Sequence, residues 1–307
     1  MKFRASGVIP AALMPFTQDM ELDLTTFRSH LRDLASVKGV TGICVNGHAS
    51  EVMSCTEQEQ ARILTVALEE VGNALPVIGG VYSESSIVAA QHAKQWQQLG
   101  ANALLVVPPA AFGKGAQLRP EMVMEHYQRI ADACDLPLII FQYAGAQMMA
   151  IQTLTNLADT IPSIKAIKDY CGDPVAHEET VRQLQNSHRK VNVLTAHSSW
   201  LLQSLALGCE GILSGAGSTV AALQAELFEA MKDSDLPRAR EINERLDIPN
   251  KAFYHAPMAD QHNRMKEAQV LMGRFPHAVV RPPLMKLSTA EIDGIRAALA
   301  KAVMLNH

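Results

Sequence analysis

Ser163-Ile164-Lys165-Ala166-Ile167-Lys168-Asp169-Tyr170, followed by Cys171-Gly172-Asp173-Pro174, decides how this chain reads. A short β-rich run ends in polar residues, and a brief loop follows. Asp173-Pro174 then has the form of a helix cap with proline in the first helical position. The same unit recurs on both sides. Strand-like runs lie at residues 8–15, 41–46, 76–81, 103–107, 137–142, 164–169, 191–195 and 211–214. Amphipathic runs at 24–37, 57–71, 85–99, 120–134, 151–160, 174–185 and 198–207 separate them. Eight strands with a helix after each predict α/β architecture of the closed, parallel (β/α)8 TIM-barrel type. A doubly wound open sheet is the competitor. Eight units at similar spacing, with no glycine-rich dinucleotide fingerprint after the first strand, favour the barrel.

Local signals fix some boundaries. Thr56-Glu57-Gln58-Glu59 has capping-box spacing, and Gly100 after Gln97-Gln98-Leu99 suits a helix stop. Beyond about Gly217 the strand signal fades. Residues 1–218 are read as the barrel and 219–307 as a C-terminal helical region packed on it, with helices at 221–232, 237–254, 258–272 and 289–304. Pro276, Pro282 and Pro283 interrupt that pattern.

The 307 residues are 48% hydrophobic and 19% charged, enough apolar material for a packed core and too little charge for disorder. A net charge of −4 with no basic stripe argues against nucleic acid and anionic membranes as partners. Apolar runs such as 136–141 are too short to span a bilayer, and Met1-Lys2-Phe3-Arg4-Ala5-Ser6 lacks a signal-peptide core. Cys44, Cys55, Cys134, Cys171 and Cys209 are odd in number and widely spaced, which suits reduced, buried thiols in the cytoplasm. Scattered histidines with no His-Glu-x-x-His give no metal site, and nothing in the chain asks for a cofactor.

Within the opening stretch, alternation puts Ile164, Ala166 and Lys168 on one strand face and Lys165 and Ile167 on the other. Lys165 lies near the strand's start, where it is structural or reaches solvent. Lys168 lies near the C-terminal end, where barrel enzymes keep their chemistry. An inward ammonium is costly to bury, so desolvation favours the free amine, a nucleophile toward a ketone or aldehyde. A lysine at a strand end also reaches water by snorkelling, and the pattern alone leaves both readings open.

The chain resembles the dihydrodipicolinate synthase and N-acetylneuraminate lyase family from about Gly7 to Met304. The resemblance is carried by Pro10-Ala11-Ala12-Leu13-Met14-Pro15-Phe16, Gly47-His48-Ala49-Ser50-Glu51-Val52 and Leu136-Pro137-Leu138-Ile139-Ile140-Phe141. It continues through Ala166-Ile167-Lys168-Asp169, Gly208-Cys209-Glu210-Gly211-Ile212-Leu213-Ser214 and Arg281-Pro282-Pro283-Leu284. It implies a (β/α)8 barrel with a helical C-terminal region, a homotetramer, and Lys168 as the Schiff-base lysine for a 2-oxo acid such as pyruvate.

The sequence departs from the family pattern at telling places. The family's Gly-Thr-Thr-Gly-Glu is here Gly47-His48-Ala49-Ser50-Glu51. Its backbone N–H groups can still take a carboxylate, and His48 and Ser50 offer side-chain contacts. Gly47, His48, Ala49 and Ser50 are therefore expected to bind substrate, with Glu51 anchoring the loop. Phe141 stands where the family has its tyrosine proton carrier, so Phe141 is expected to face substrate. Tyr143, two residues on, is expected to supply the phenol, with His48 or water as the other proton carriers. No phenol lies in Val107-Pro108-Pro109-Ala110-Ala111-Phe112-Gly113, and no arginine in Ala144-Gly145-Ala146-Gln147-Met148-Met149, so the synthase's second substrate is not expected. Leu213 is expected to face substrate, and His197, Ser198, Ser199, Ser214 and Ser218 to lie at the pocket wall.

Three functions follow. One is a class I lyase that forms or cleaves a carbon–carbon bond between a pyruvate-type acid and an aldehyde. The second is a hydro-lyase or deaminase of a 2-oxo-3-deoxy acid or cyclic imino acid, using the same imine. The third is a non-catalytic 2-oxo acid binder, which the retained lysine argues against.

Overall fold

β-Branched and aliphatic runs form eight parallel strands in this computed structural model, which describes residues 3–305. Met1, Lys2, Asn306 and His307, parts of the N-terminal reading and of the 219–307 region, lie outside the described residues. The strands are β1 (Gly7–Pro10), β2 (Ile43–Val45), β3 (Val77–Val81), β4 (Ala103–Val106), β5 (Leu138–Gln142), β6 (Ile164–Asp169), β7 (Asn192–Thr195) and β8 (Gly211–Ser214). Each pairs in parallel with its neighbour, in the order β1-β8-β7-β6-β5-β4-β3-β2. Parallel bridges between Val8 and Val40 and between Ala11 and Cys44 join β1 to the β2 side. The Ala12 N–H adds a 2.8 Å bond to the Cys44 carbonyl. The sheet thus curls into a (β/α)8 barrel, not the open sheet that competed with it. Strands covered on both faces carry near-continuous apolar runs. Among the strand residues only Lys165 is exposed and only Asn192 half-buried.

The helices between the strands are α1 (Leu24–Ser36), α2 (Glu57–Val71), α3 (Ser86–Leu99), α4 (Pro120–Asp132), α5 (Ile151–Thr160), α6 (Pro174–Thr180) and α7 (Leu201–Ala206). Thr56 and Glu59 form the expected reciprocal box, with bonds of 3.2 and 2.8 Å. Asp173 accepts the Val175 N–H at 2.8 Å, and Gly100 ends α3 at φ 104°. The expected helix over 174–185 changes character at Val181, where a π-helical segment runs Val181–Gln185. There Gln185 accepts the N–H groups of Val193 at 3.0 Å and Glu210 at 3.1 Å. The expected strand over 8–15 stops pairing as a ladder at Pro10, because it outruns its neighbours at the barrel mouth. Ser218 meets the freed backbone there, taking the Leu13 N–H at 3.0 Å and donating to the Ala11 carbonyl at 2.6 Å.

After β8 come α8 (Gly217–Lys232), α9 (Leu236–Phe253), α10 (Gln261–Leu271) and α11 (Thr289–Lys301). α8 packs on β1, β8 and α9, while α10 packs on α8, α9 and α11. No helix among the described residues is long and apolar enough to cross a membrane. All five cysteines are free and buried.

Candidate active site

Lys168 occupies the fifth position of β6, next to its last residue, and pairs in register with Phe141 on β5 and Leu194 on β7. Strand alternation turns Asp169 to the opposite face. One Asp169 oxygen accepts the Cys171 N–H at 2.9 Å, and the other bonds Nδ1 of buried His177 at 2.8 Å. His177 Nε2 continues to Ser204 Oγ at 2.7 Å and Cys209 Sγ at 3.1 Å. The carboxylate adjacent in sequence is therefore held in a network behind the strand, and no ion pair involves Lys168 among the described residues.

The Lys168 side chain is 6% exposed, and burial lowers its pKa from the ordinary lysine value to about 8. The nearby Cys44 thiol is itself pushed up to about 12 by burial, so it is uncharged at neutral pH and supplies no counter-ion. Lys168 Nζ lies 4.1 Å from the Phe141 ring centroid. The result is an amine poised to lose its proton near neutrality, facing a small cavity at the barrel mouth.

That cavity brings together five of the residues the sequence singled out: Lys168, Tyr143, Phe141, His48 and Ala49. His48 is tilted against Phe141 at 5.6 Å between centroids and meets Tyr143 edge-on at 5.4 Å. Tyr143 also packs on Phe141 at 5.1 Å and on Tyr170 at 5.7 Å. Burial keeps the Tyr143 phenol above its usual pKa, hence protonated, and holds His48 down to about 4, hence neutral. A neutral imidazole and a protonated phenol can each pass a proton to a substrate atom.

The turn bearing His48 is a single 3₁₀ turn, His48–Ser50, entered after left-handed Asn46 (φ 57°) and left through left-handed Glu51 (φ 51°). Both flanks are tied down. Asn46 Nδ2 donates to the Gln60 carbonyl at 2.8 Å, and buried Glu51 accepts from Lys266 Nζ and from the Arg281 N–H at 3.2 Å. Gly80 permits this path, since a Cβ there would fall 1.9 Å from the Asn46 carbonyl oxygen. The first internal bond of the turn runs from Ser50 N–H to the Gly47 carbonyl, leaving the N–H groups of His48 and Ala49 ahead of it.

Other expected residues sit elsewhere. Ser50 spends its hydroxyl on the Ala12 carbonyl at 2.8 Å, and neither Gly47 nor Ser50 lines the cavity. Leu213 is fully buried in the hydrophobic core rather than on the cavity wall. Ser214 accepts from Gly217 N–H and Gln224, which fixes the start of α8. His197 is buried and stacks 4.0 Å from Trp200. Its Nε2 accepts the Gly172 N–H at 3.2 Å. Asp169, Cys171 and His197 bring possible ligand atoms within 4.8 Å of one another, yet internal hydrogen bonds already occupy Asp169 and His197 Nε2.

Sequence reasoning missed Tyr170, Tyr254, Gln261 and His262, all of which line the cavity. Tyr170 follows directly on the lysine strand and carried a positional signal. Tyr254, Gln261 and His262 come from the C-terminal helices, where the pattern shows which residues are apolar but not which helix end covers the barrel mouth. Tyr254 hydroxyl accepts the Ala216 N–H at 3.1 Å, and burial raises its pKa to about 12.

Known proteins resemble this chain along nearly its whole length. Residues 4–302 match the family model for the dihydrodipicolinate synthetase family. An uncharacterized DapA-like lyase of Halobacterium salinarum is 29% identical over 97% of this chain and 94% of its own length. The putative 2-dehydro-3-deoxy-D-gluconate aldolase YagE of Escherichia coli is 28% identical over 92% of each chain. The crystal structure of YagE in complex with pyruvate superimposes with a TM-score of 0.88 at 24% identity, over 98% of this chain and 100% of that one. Dihydrodipicolinate synthase from Thermotoga maritima superimposes with a TM-score of 0.89 at 25% identity, over 98% and 99%. With residues 4–302 matched by the family model and the barrel shared, the chain belongs to the dihydrodipicolinate synthetase family, a family of lyases.

Proposed function

We propose that this protein is a class I lyase in which Lys168 forms a Schiff base with a pyruvate-type 2-oxo acid and cleaves or forms a carbon–carbon bond to an aldehyde. One observation carries the reading: the Lys168 amine is buried at the barrel mouth, its pKa lowered to about 8, with no carboxylate against it among the described residues. The free amine adds to the C2 keto carbon and water leaves, giving a protonated imine. In the cleavage direction a base takes the proton of the C4 hydroxyl, the C3–C4 bond breaks into the imine, and the aldehyde departs. The enamine then accepts a proton at C3, and hydrolysis releases the 2-oxo acid. Tyr143 is the proposed proton carrier at C3. The backbone N–H groups of His48 and Ala49 are the proposed carboxylate contacts. Gly47 and Ser50 shape that turn, and Phe141 covers the imine nitrogen. The relation to a putative aldolase supports the carbon–carbon reaction.

The phenylalanine at residue 141 favours a second reading, loss of water or an amine from the same imine. Elimination needs fewer proton carriers than aldol chemistry. The homotetramer and cytoplasmic location belong to the same proposal. Five free cysteines support a reducing compartment, and the family resemblance supports the assembly.

The test is borohydride reduction after incubation with pyruvate and a panel of 2-oxo-3-deoxy sugar acids. The expected result is a pyruvate adduct mass on the peptide carrying Lys168, with no water-loss product from the longer acids. Water-loss products would move the assignment to the hydro-lyase. No adduct with any acid would overturn the Schiff-base reading.

A further inference from the structure

His262 lies at the start of α10, four residues before Lys266, so the two share one face of that helix. Lys266 is fixed: its ammonium donates to Glu51 and, at 2.8 Å, to the Val279 carbonyl. Glu51 closes the turn that carries His48. This strut sets α10 over the cavity and places His262 on the β8 side of it. A Cβ added at Gly215 would stand 2.8 Å from His262 Nε2 and 3.8 Å from the Ala49 Cβ. His262 thus reaches the wall because residue 215 has no side chain.

Both imidazoles line the cavity with Lys168, and neither has a hydrogen-bond partner among the described residues. Burial, with His48 and Lys168 nearby, lowers His262 to about 3, so at neutral pH each ring offers one donor and one acceptor nitrogen. Apart from Lys168, the cavity lining holds no lysine or arginine, and no carboxylate, among the described residues. A second acid group on the substrate would be buried there without a counter-charge, whereas a hydroxyl matches a neutral imidazole in both donor and acceptor capacity.

Building on the Lys168 reading, we infer that His262, which lines the same cavity as His48, is the specificity-determining contact for an uncharged second half of the substrate. It hydrogen-bonds the C4 hydroxyl of a 4-hydroxy-2-oxo acid held through Lys168.

Concentration-dependent borohydride trapping tests this without requiring turnover. The probes are pyruvate, 4-hydroxy-2-oxopentanoate and 2-oxopentanoate, and the readout is total adduct on the Lys168 peptide, intact acid plus pyruvate. In the unaltered protein the 4-hydroxy acid should half-saturate at about tenfold lower concentration than 2-oxopentanoate, the upper end for a hydrogen bond between neutral groups. His262→Ala should shrink that gap below about threefold while pyruvate half-saturation stays within about twofold, and His262→Gln, which keeps a donor and an acceptor, should recover part of it. If His262→Ala fails to fold by circular dichroism, His262→Leu, closer in volume, carries the comparison. No discrimination in the unaltered protein, or a gap that survives the loss of the imidazole, overturns the inference. No adduct with any of the three acids overturns the Lys168 reading itself, and this inference with it.

Discussion

Lys168 Nζ sits 4.1 Å from the centroid of the Phe141 ring, and the two residues are register partners on adjacent strands. A ring face this close attracts the ammonium by about 0.5–2 kcal/mol, which opposes the lowering of the Lys168 pKa by burial. A phenyl group also carries no proton, so in the proposed reaction the proton passes through other groups, and Tyr143 and His48 are the rings packed on Phe141.

The pH dependence follows from that balance. Imine formation needs the free amine, so the rate of pyruvate trapping should rise with pH to a midpoint near 8 and level off above it. Phe141→Leu keeps the apolar wall and removes the ring's attraction, which should move the midpoint down by about 0.4–1.5 units. A midpoint near the ordinary lysine value would contradict the burial argument.

Lys168→Arg should leave a folded barrel with no borohydride-trappable adduct and a loss of turnover of at least about a thousandfold, because a guanidinium stays protonated and cannot attack a carbonyl. Stopped-flow or end-point assays of aldehyde release would measure it.

Tyr143→Phe removes one hydroxyl from a ring already packed between His48, Phe141 and Tyr170. Turnover is expected to fall by about 10²–10⁴, the usual worth of a general acid–base group, while pyruvate trapping persists. Equal turnover in the variant would assign the proton to His48 or water.

The strut between Glu51 and Lys266 is nearly dry, with side chains 5% and 0% exposed. Lys266→Met alone should cost about 3–5 kcal/mol by leaving a carboxylate unpaired, and adding Glu51→Leu should return most of it. Urea unfolding of the two variants distinguishes this from a generic packing loss, which would add rather than cancel.

The network behind Lys168 predicts its own pH signature. Burial works against the His177 cation, but its bonds to Asp169 and Cys209 raise its pKa to about 9. Its contribution to stability is thus full below the ordinary histidine value and is lost as pH rises through about 9. Asp169 has a lowered pKa, so its share is lost in acid. His177→Gln should be markedly less stable than the unaltered protein at pH 6.5, with the difference narrowing toward pH 9.5 in thermal melts.

Much of this protein was legible in its sequence because the deciding signals are local. The period of the apolar residues, the cap at Asp173-Pro174 and the box at Thr56 and Glu59 are set by neighbours within a turn or two, and each appears in the fold as read. Alternation put Ile164, Ala166 and Lys168 on one face and Lys165 and Ile167 on the other, and the hydrogen bonds of Asp169 behind the strand continue that division. What tertiary structure alone decided is where distant segments meet. The chain distance from His48 to His262 spans most of the barrel, and the packing of α10 on α8, α9 and α11, with the bond from Lys266 to Glu51, brings them over one cavity. Leu213 and Ser50 look equally accessible in the sequence, yet closure of the barrel buries one in the core and ties the other to Ala12. Periodicity reports which face of an element is apolar. It does not report which other element will cover that face, because that choice is made by packing between segments far apart in the chain.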